Sequence, residues 1–263
     1  MYPKEIFLGL DLYDILLVLG FFAALLIFRY WADARKLPAK LQNLCIGGAL
    51  GALVGGYASA VLFQALYNFL DGEEFAITSS TGATFYGGLI GGVLVFLVIY
   101  FEGGYFLLGK GVAAKHFFTL TEIAAASITL AHGIGRIGCL FAGCCYGQVT
   151  TKWFGIYNAH LDAKTVPVQL LEAIFLFILF AWMTYRLHQN KRGNFGLYLI
   201  LYGVWRFYIE FFRADDRGQT FISNLSPSQL MAIVLALVGI GFWILDYALN
   251  SRAARKEADS DAS

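Results

Sequence analysis

The stretch NFGLYLILYGVWRFYIEFFR, Asn194 to Arg213, decides the fold. Apolar residues cover most of any helix drawn through it, and its length suits the roughly 20 residues that cross about 30 Å of hydrocarbon. Yet it holds Arg206, Glu210 and Arg213. Charges inside a bilayer are costly unless they are paired or face water. Spaced i, i+4, i+7, the three share one helix face. Glu210 can therefore stand between two guanidinium groups, and the face should line a cavity or pack against polar partners rather than meet lipid. Such a span belongs to an integral membrane protein.

Composition agrees. Of 263 residues 59% are hydrophobic and only 14% charged, with a mean hydropathy of +0.64, whereas globular domains carry about 25% charge. Apolar runs lie near 12–31, 44–68, 83–101, 117–138, 167–187, 194–213 and 226–249, which predicts an all-α protein with seven transmembrane helices. They form a single domain over 1–250, and the charged tail 251–263 reads as disordered. The first run does not read as a cleaved signal peptide: Lys4 is followed by Glu5 and Asp11, and Arg29, Asp33 and Arg35 stand where a small-residue cleavage site should be. A net charge of +1 gives no field that would draw nucleic acid or another polyanion, and no ATP-binding motif or soluble domain is present.

Basic residues set an expected orientation. Arg29, Arg35, Lys36 and Lys40, then Lys110 and Lys115, then Arg186, Lys191 and Arg192, then Arg252, Arg255 and Lys256 fall at alternate connections and the tail, while the other side holds only Lys4, Lys152, Lys164 and Arg217. The positive-inside rule then puts the N-terminus outside and the C-terminus in the cytoplasm. On that topology Arg136, Tyr86 in TFYGGLIGG, Gln169 and Glu172 in VPVQLLEA, and the Arg206 stripe all reach the outer leaflet. Glu102 and Glu122 fall near inner helix ends and read as interfacial or helix-pairing groups.

The remaining singular stretch is HGIGRIGCLFAGCCYG, His132 to Gly147. Two arginines at outer-leaflet depth suit a phosphate, whose oxygens match the guanidinium fork, and the nearest phosphates in a bilayer are lipid head groups. If the helix breaks at Gly133, Gly135 and Gly138, their N–H groups add donors, since irregular backbone at depth needs a cavity beside it. The competing reading is close helix packing, the one adopted for GGALGALVGG in the second span. Arg213 at a helix end reads either as a third phosphate contact or as a snorkelling group.

These pieces resemble the prolipoprotein diacylglyceryl transferase family of bacterial inner-membrane enzymes. Its signature is similar to GRIGNF-x-NGE-x-aromatic-G, and GRIGCLFAGCCYG keeps Gly135, Arg136, Ile137, Gly138, Gly143, Tyr146 and Gly147. A family HGGLIG appears as YGGLIG, Tyr86 to Gly91, and RF-x-x-EFFR is intact through Arg213. The resemblance implies that Arg136, Arg206 and Arg213, with Gly87, Gly88, Gly135 and Gly138, hold the head group of phosphatidylglycerol, and that Glu210 organises the arginines. It implies transfer of the diacylglyceryl group to the lipobox cysteine of a prolipoprotein, giving a thioether and glycerol phosphate, with no cofactor and no metal. Tyr86, Arg136, Arg206 and Glu210 are then the catalytic set.

Departures from the family pattern leave alternatives open. Tyr86 replaces the usual His, Cys139 and Ala142 replace Asn, and Cys144 replaces an acidic residue. At neutral pH a phenol is a far weaker base than an imidazole, so Tyr86 reads as a hydrogen-bond donor or a perturbed base, and His132 is a second proton acceptor. Cys139, Cys144 and Cys145 read as small packing residues, as a disulfide on an oxidising side, or as metal ligands without a recognised spacing. The rival functions keep the donor clamp with another acceptor, or centre a membrane thiol-redox or metal-binding protein on these cysteines.

Overall fold

A computed structural model describes residues 6, 9–72, 74–78, 80–214 and 225–261, with Asn250 and 252–261 described by backbone alone. Lys4 and Arg217 lie outside the described residues. Seven helices among these are long and apolar enough to cross a membrane: Leu12–Ala34, Ala39–Leu70, Phe85–Leu108, Val112–Ala142, Val168–His188, Asn194–Phe212 and Pro227–Leu249. Each expected span is present, and the chain is a multi-pass membrane protein. In chain order the helices are α1 (Leu12–Ala34), α2 (Ala39–Leu70), α3 (Phe85–Val98), α4 (Gly104–Leu108), α5 (Val112–Ala142), α6 (Val168–His188), α7 (Asn194–Ile209) and α8 (Pro227–Asp261). A π-helical turn, Ile99–Gly103, joins α3 to α4, and a 3-10 turn, Glu210–Phe212, extends α7. The α8 backbone stays helical through the charged tail to Asp261.

Helix starts follow from local chemistry. Asp11 and Asp14 exchange backbone and carboxylate hydrogen bonds at the head of α1, at 2.9 and 3.3 Å. Ser226 caps α8 in the same reciprocal way: its Oγ accepts from Gln229 N at 3.1 Å, and Gln229 Oε1 accepts from Ser226 N at 3.0 Å. Pro227, lacking an N–H, occupies the first helical position. The head of α7 is capped across the fold. Both carboxylate oxygens of Glu122 on α5 accept from Gly193 N and Asn194 N at 2.8 Å, so Glu122 has the helix-pairing role read from its position.

The contacts divide the chain into two compact units, one of Met1–Trp31 with Phe118–Ser263 and one of Ala32–Phe117. In the second unit α2 and α3 approach through small residues. A Cβ on Gly91 would fall 2.2 Å from Ser59, one on Gly55 2.7 Å from Val95, and one on Gly56 3.0 Å from the Gly88 carbonyl. The packing role read for the α2 glycines therefore holds for Gly48, Gly51, Gly55 and Gly56, whereas a Cβ on Gly47 would meet nothing within 4 Å. In the first unit α7 and α8 meet backbone to backbone, because a Cβ on Gly203 would lie 2.6 Å from Ala232 O and one on Gly196 2.8 Å from Gly239 O. A small antiparallel hairpin, β1 (Ile156–Asn158) with β2 (Ala163–Thr165), fills the long α5–α6 connection, pairing Ile156 with Thr165 and Asn158 with Ala163. Gly147 bridges to Arg213, which ties that connection to the end of α7.

Candidate active site

Four helices of the first unit supply the polar cluster. On α5, His132 and Arg136 stand one turn apart; Glu172 comes from α6; Tyr198, Tyr202 and Arg206 come from α7. Glu172 is completely buried, and its Oε1 lies 3.1 Å from Arg136 Nε and accepts from Tyr202 OH at 2.8 Å. Arg136 Nη2 donates to the same hydroxyl at 3.4 Å. His132 Nδ1 meets Tyr198 OH at 3.1 Å, and its Nε2 stands 4.0 Å from Glu172. His132 thus belongs to the network that holds Arg136.

The second half is built on Glu210. Its Oε2 lies 2.7 Å from Arg206 Nη2 and 3.7 Å from Arg213 Nε, the arrangement expected from the i, i+4, i+7 spacing. Oε1 accepts from Ser226 Oγ at 2.8 Å, and Arg206 Nη2 also donates to Ser228 Oγ at 2.8 Å. The capping residues of α8 therefore also fix the charged stripe of α7. Arg206 and Arg213 are both buried, at 5% and 8% exposure. Arg213 is held by Glu210 inside the protein and does not snorkel. Buried Arg206 Nη1 has no hydrogen-bond partner among the described residues. Leaving a buried donor unsatisfied costs about 1–3 kcal/mol, more when it is charged, so this nitrogen is set for an acceptor that none of the described residues supplies. Among the described residues three guanidinium groups face two carboxylates here, and Arg213 also faces the Cys145 sulfur.

The glycines of HGIGRIG act differently from the donors expected of a broken helix. α5 is continuous from Val112 to Ala142, so the N–H groups of Gly133, Gly135 and Gly138 are engaged within it. Small size serves packing at two of them: a Cβ on Gly133 would lie 2.7 Å from Phe177, and one on Gly138 3.1 Å from Tyr13, while one on Gly135 would lie 3.7 Å from Leu17. Gly87 and Gly88 face α2 in the second unit, where added Cβ atoms would lie 2.6 Å from Phe63 and 3.2 Å from Ala60. Tyr86 is in the first turn of α3, also in that unit.

Past α5 the chain turns sharply, with Gly143 at φ 72 and Cys145 at φ 59. Gln169 of α6 donates to Cys144 O at 2.6 Å, and Asn158 of the hairpin donates to Gly143 O at 2.9 Å. Cys139, Cys144 and Cys145 are not joined in disulfides, and their sulfurs lie within 4.8 Å of one another. Hydrogen bonds from Cys139 and Cys144, with the Arg213 guanidinium, hold the Cys145 thiol below its usual range. Tyr198, Tyr202, Ser226 and Ser228 were not singled out from sequence. The two tyrosines were legible there, since Tyr198, Tyr202, Arg206 and Glu210 repeat every four residues.

Comparison with known proteins converges on one family. Residues 5–245 match the prolipoprotein diacylglyceryl transferase family. The chain is 30% identical over 246 residues to the phosphatidylglycerol–prolipoprotein diacylglyceryl transferase of Clostridium tetani, covering 89% of this chain and 92% of that one. It is 30% identical to a second such enzyme of Clostridium perfringens, with 96% of each covered. For the enzyme of Francisella tularensis subsp. novicida the figures are 29%, with 86% and 85% covered.

Proposed function

The chain belongs to the prolipoprotein diacylglyceryl transferase family, and from that membership we propose that it is a lipoprotein-biosynthesis transferase working at the outer side of the bacterial inner membrane. It takes the diacylglyceryl group from phosphatidylglycerol and gives it to the lipobox cysteine thiol of a prolipoprotein. The sulfur attacks a glyceryl carbon and forms the thioether. The carbon–oxygen bond to phosphate breaks, and its electron pair goes to the phosphate oxygen of the departing glycerol phosphate.

The observation that carries this reading is the buried Nη1 of Arg206, which has no hydrogen-bond partner among the described residues, in a cluster of three guanidinium groups around two carboxylates. Arg136, Arg206 and Arg213 bind the lipid phosphate and stabilise the charge that builds on it, in a site fixed before the reaction begins. Glu172 and Glu210 aim the guanidinium groups and keep them from repelling one another, and Tyr202 and Ser228 fix the remaining edges. Gly138 lets α5 pack closely against Tyr13 of α1 beside Arg136, whereas a Cβ on Gly135 would make only ordinary contact with Leu17 at 3.7 Å. Tyr86, at the family's histidine position, assists through its hydroxyl as a donor to a substrate oxygen.

The direct test combines purified protein, phosphatidylglycerol and a lipobox peptide. The expected result is a peptide mass gain of one diacylglyceryl group with matching release of glycerol phosphate. Folded protein that gives neither product would overturn the reading.

A further inference from the structure

The phosphate clamp leaves the three thiols at the end of α5 without a task. Cys139 is in the last turn of that helix, and Cys144 and Cys145 follow in the loop, yet all three sulfurs come within 4.8 Å of one another. The backbone is bent to achieve this. Cys145 holds the left-handed conformation that non-glycine residues avoid, with Gly143 left-handed two residues before it. Side chains from elsewhere brace the bend by its carbonyls: Gln169 holds Cys144 O, Asn158 holds Gly143 O, and His160 Nε2 lies 3.2 Å from Ala142 O. The sulfurs themselves are not joined in disulfides.

Small packing residues would not require this convergence. Zinc–thiolate bonds are about 2.3 Å long, so three sulfurs around one tetrahedral ion stand about 3.8 Å apart. The observed triangle, with no edge above 4.8 Å, exceeds that size by about 1 Å at most. Among the described residues no fourth His, Cys, Asp or Glu joins the group. Cys144 is exposed while Cys139 and Cys145 are half-buried, so the triangle has an open side. Three protein ligands with one open position distinguish reactive zinc sites from closed four-ligand structural ones. The site also borders the clamp, since Arg213 interacts with Cys145.

We propose that Cys139, Cys144 and Cys145 bind a zinc ion whose fourth position takes the acceptor thiol. The second half of this statement rests on the transfer reaction proposed above. That reaction needs a thiolate, and Tyr86 stands where the family motif has an imidazole. A thiol coordinated to zinc is deprotonated outright, so coordination replaces the missing base. On binding, the three protein thiols and the acceptor thiol each release their proton to solvent. The bound acceptor sulfur then forms its bond to the glyceryl carbon as the carbon–oxygen bond breaks toward phosphate. The product thioether is neutral and a weaker ligand, so it gives up the fourth position.

The test uses full-length protein, reduced and stripped of metal, titrated with Co(II). One equivalent should bind, with thiolate-to-cobalt charge-transfer bands in the near ultraviolet and the visible bands of a tetrahedral site, and Zn(II) should bleach both. Replacing all three cysteines with serine should abolish the bands. Because that variant could unfold, Cys144→Ser, at an exposed position, should by itself weaken Co(II) binding at least tenfold. A lipobox peptide should shift the visible bands, and the same peptide with serine for cysteine should not. Absence of stoichiometric bands, or bands unchanged in Cys144→Ser, overturns the metal site. Bands that ignore the thiol peptide overturn its role in holding the acceptor. The two readings fail separately. A metal-bound protein that recognises the peptide thiol but transfers nothing sinks the transfer reaction alone, whereas undiminished transfer by metal-free protein sinks only the zinc.

Discussion

At the residue scale, Arg206 carries the most weight. One face of its guanidinium is committed to Glu210 and Ser228, while buried Nη1 has no hydrogen-bond partner among the described residues. Arg206→Ala should reduce transfer about 100- to 1,000-fold, the usual effect of losing one preorganised donor to developing charge. Arg206→Lys should fail nearly as badly, because one ammonium on a flexible stem cannot serve Glu210, Ser228 and a phosphate at once. Both are read from initial rates of peptide lipidation, with detergent-solubilised protein checked for folding. Glu172→Gln asks about support rather than chemistry. It leaves Arg136, whose side chain is 16% exposed, beside a neutral amide in place of the completely buried Glu172 carboxylate, and breaking such a pair destabilises by up to about 3–5 kcal/mol. Its melting temperature should fall clearly, and its activity should fall with it. Tyr86→Phe should lower the rate and leave the melting temperature unchanged, since it removes only a hydroxyl. Full activity in that variant would make Tyr86 a packing residue. The pairing of Glu210 with two arginines was legible in the spacing alone. The partners Ser226 and Ser228 were not, because nothing in a sequence says which face of the next helix will be turned toward Arg206.

At the scale of elements, the site depends on how closely α7 and α8 approach. Gly203 lies one turn before Arg206, and α8 presents Ser226 and Ser228 in its cap and first turn. A Cβ at Gly203 would meet a backbone carbonyl at 2.6 Å and a backbone nitrogen at 3.1 Å, atoms that cannot rotate aside. Gly203→Ala should therefore separate the helices and cost about 1–3 kcal/mol, as overpacking does. Because the separation draws Ser228 from Arg206, melting temperature and transfer rate should fall together. Gly241→Ala on α8, where an added Cβ meets nothing within 4 Å, should leave both unchanged. The same physics explains a misreading from sequence. Glycines around Arg136 allow a broken helix and also allow tight packing, and only the neighbours distinguish the two. Phe177 and Tyr13 fill the space that the missing side chains leave, so α5 runs unbroken. Likewise the i, i+5, i+6 spacing of the three cysteines gives no hint of convergence. It arises from left-handed turns at Gly143 and Cys145 that side chains of α6 and the hairpin secure.

At the scale of the whole molecule, seven spans were readable because a run of some 20 apolar residues has few other uses. Side is a separate matter, and it governs whether the clamp can meet its substrate. In the first unit the charged cluster draws on the C-terminal ends of α5 and α7 and the N-terminal ends of α6 and α8. Consecutive spans alternate in direction, so those four ends share one side of the membrane. The long connection between α5 and α6, with its hairpin, belongs to that side, and the alternation of spans read from the sequence assigns the short connections 35–38, 109–111 and 189–193 to the other. Basic residues concentrate around the short connections, which the positive-inside rule assigns to the cytoplasm. We propose that the cluster is outside, where a translocated lipobox cysteine would arrive. An enzyme reporter that folds only after export should be active when fused after Thr151 and inactive after Asn190 or Ser263. A fluorescent reporter that matures only in the cytoplasm should give the opposite pattern. If both patterns came out inverted, Arg136 and Arg206 would face the cytoplasm, no exported thiol could reach them, and the acceptor would have to be sought among cytoplasmic nucleophiles.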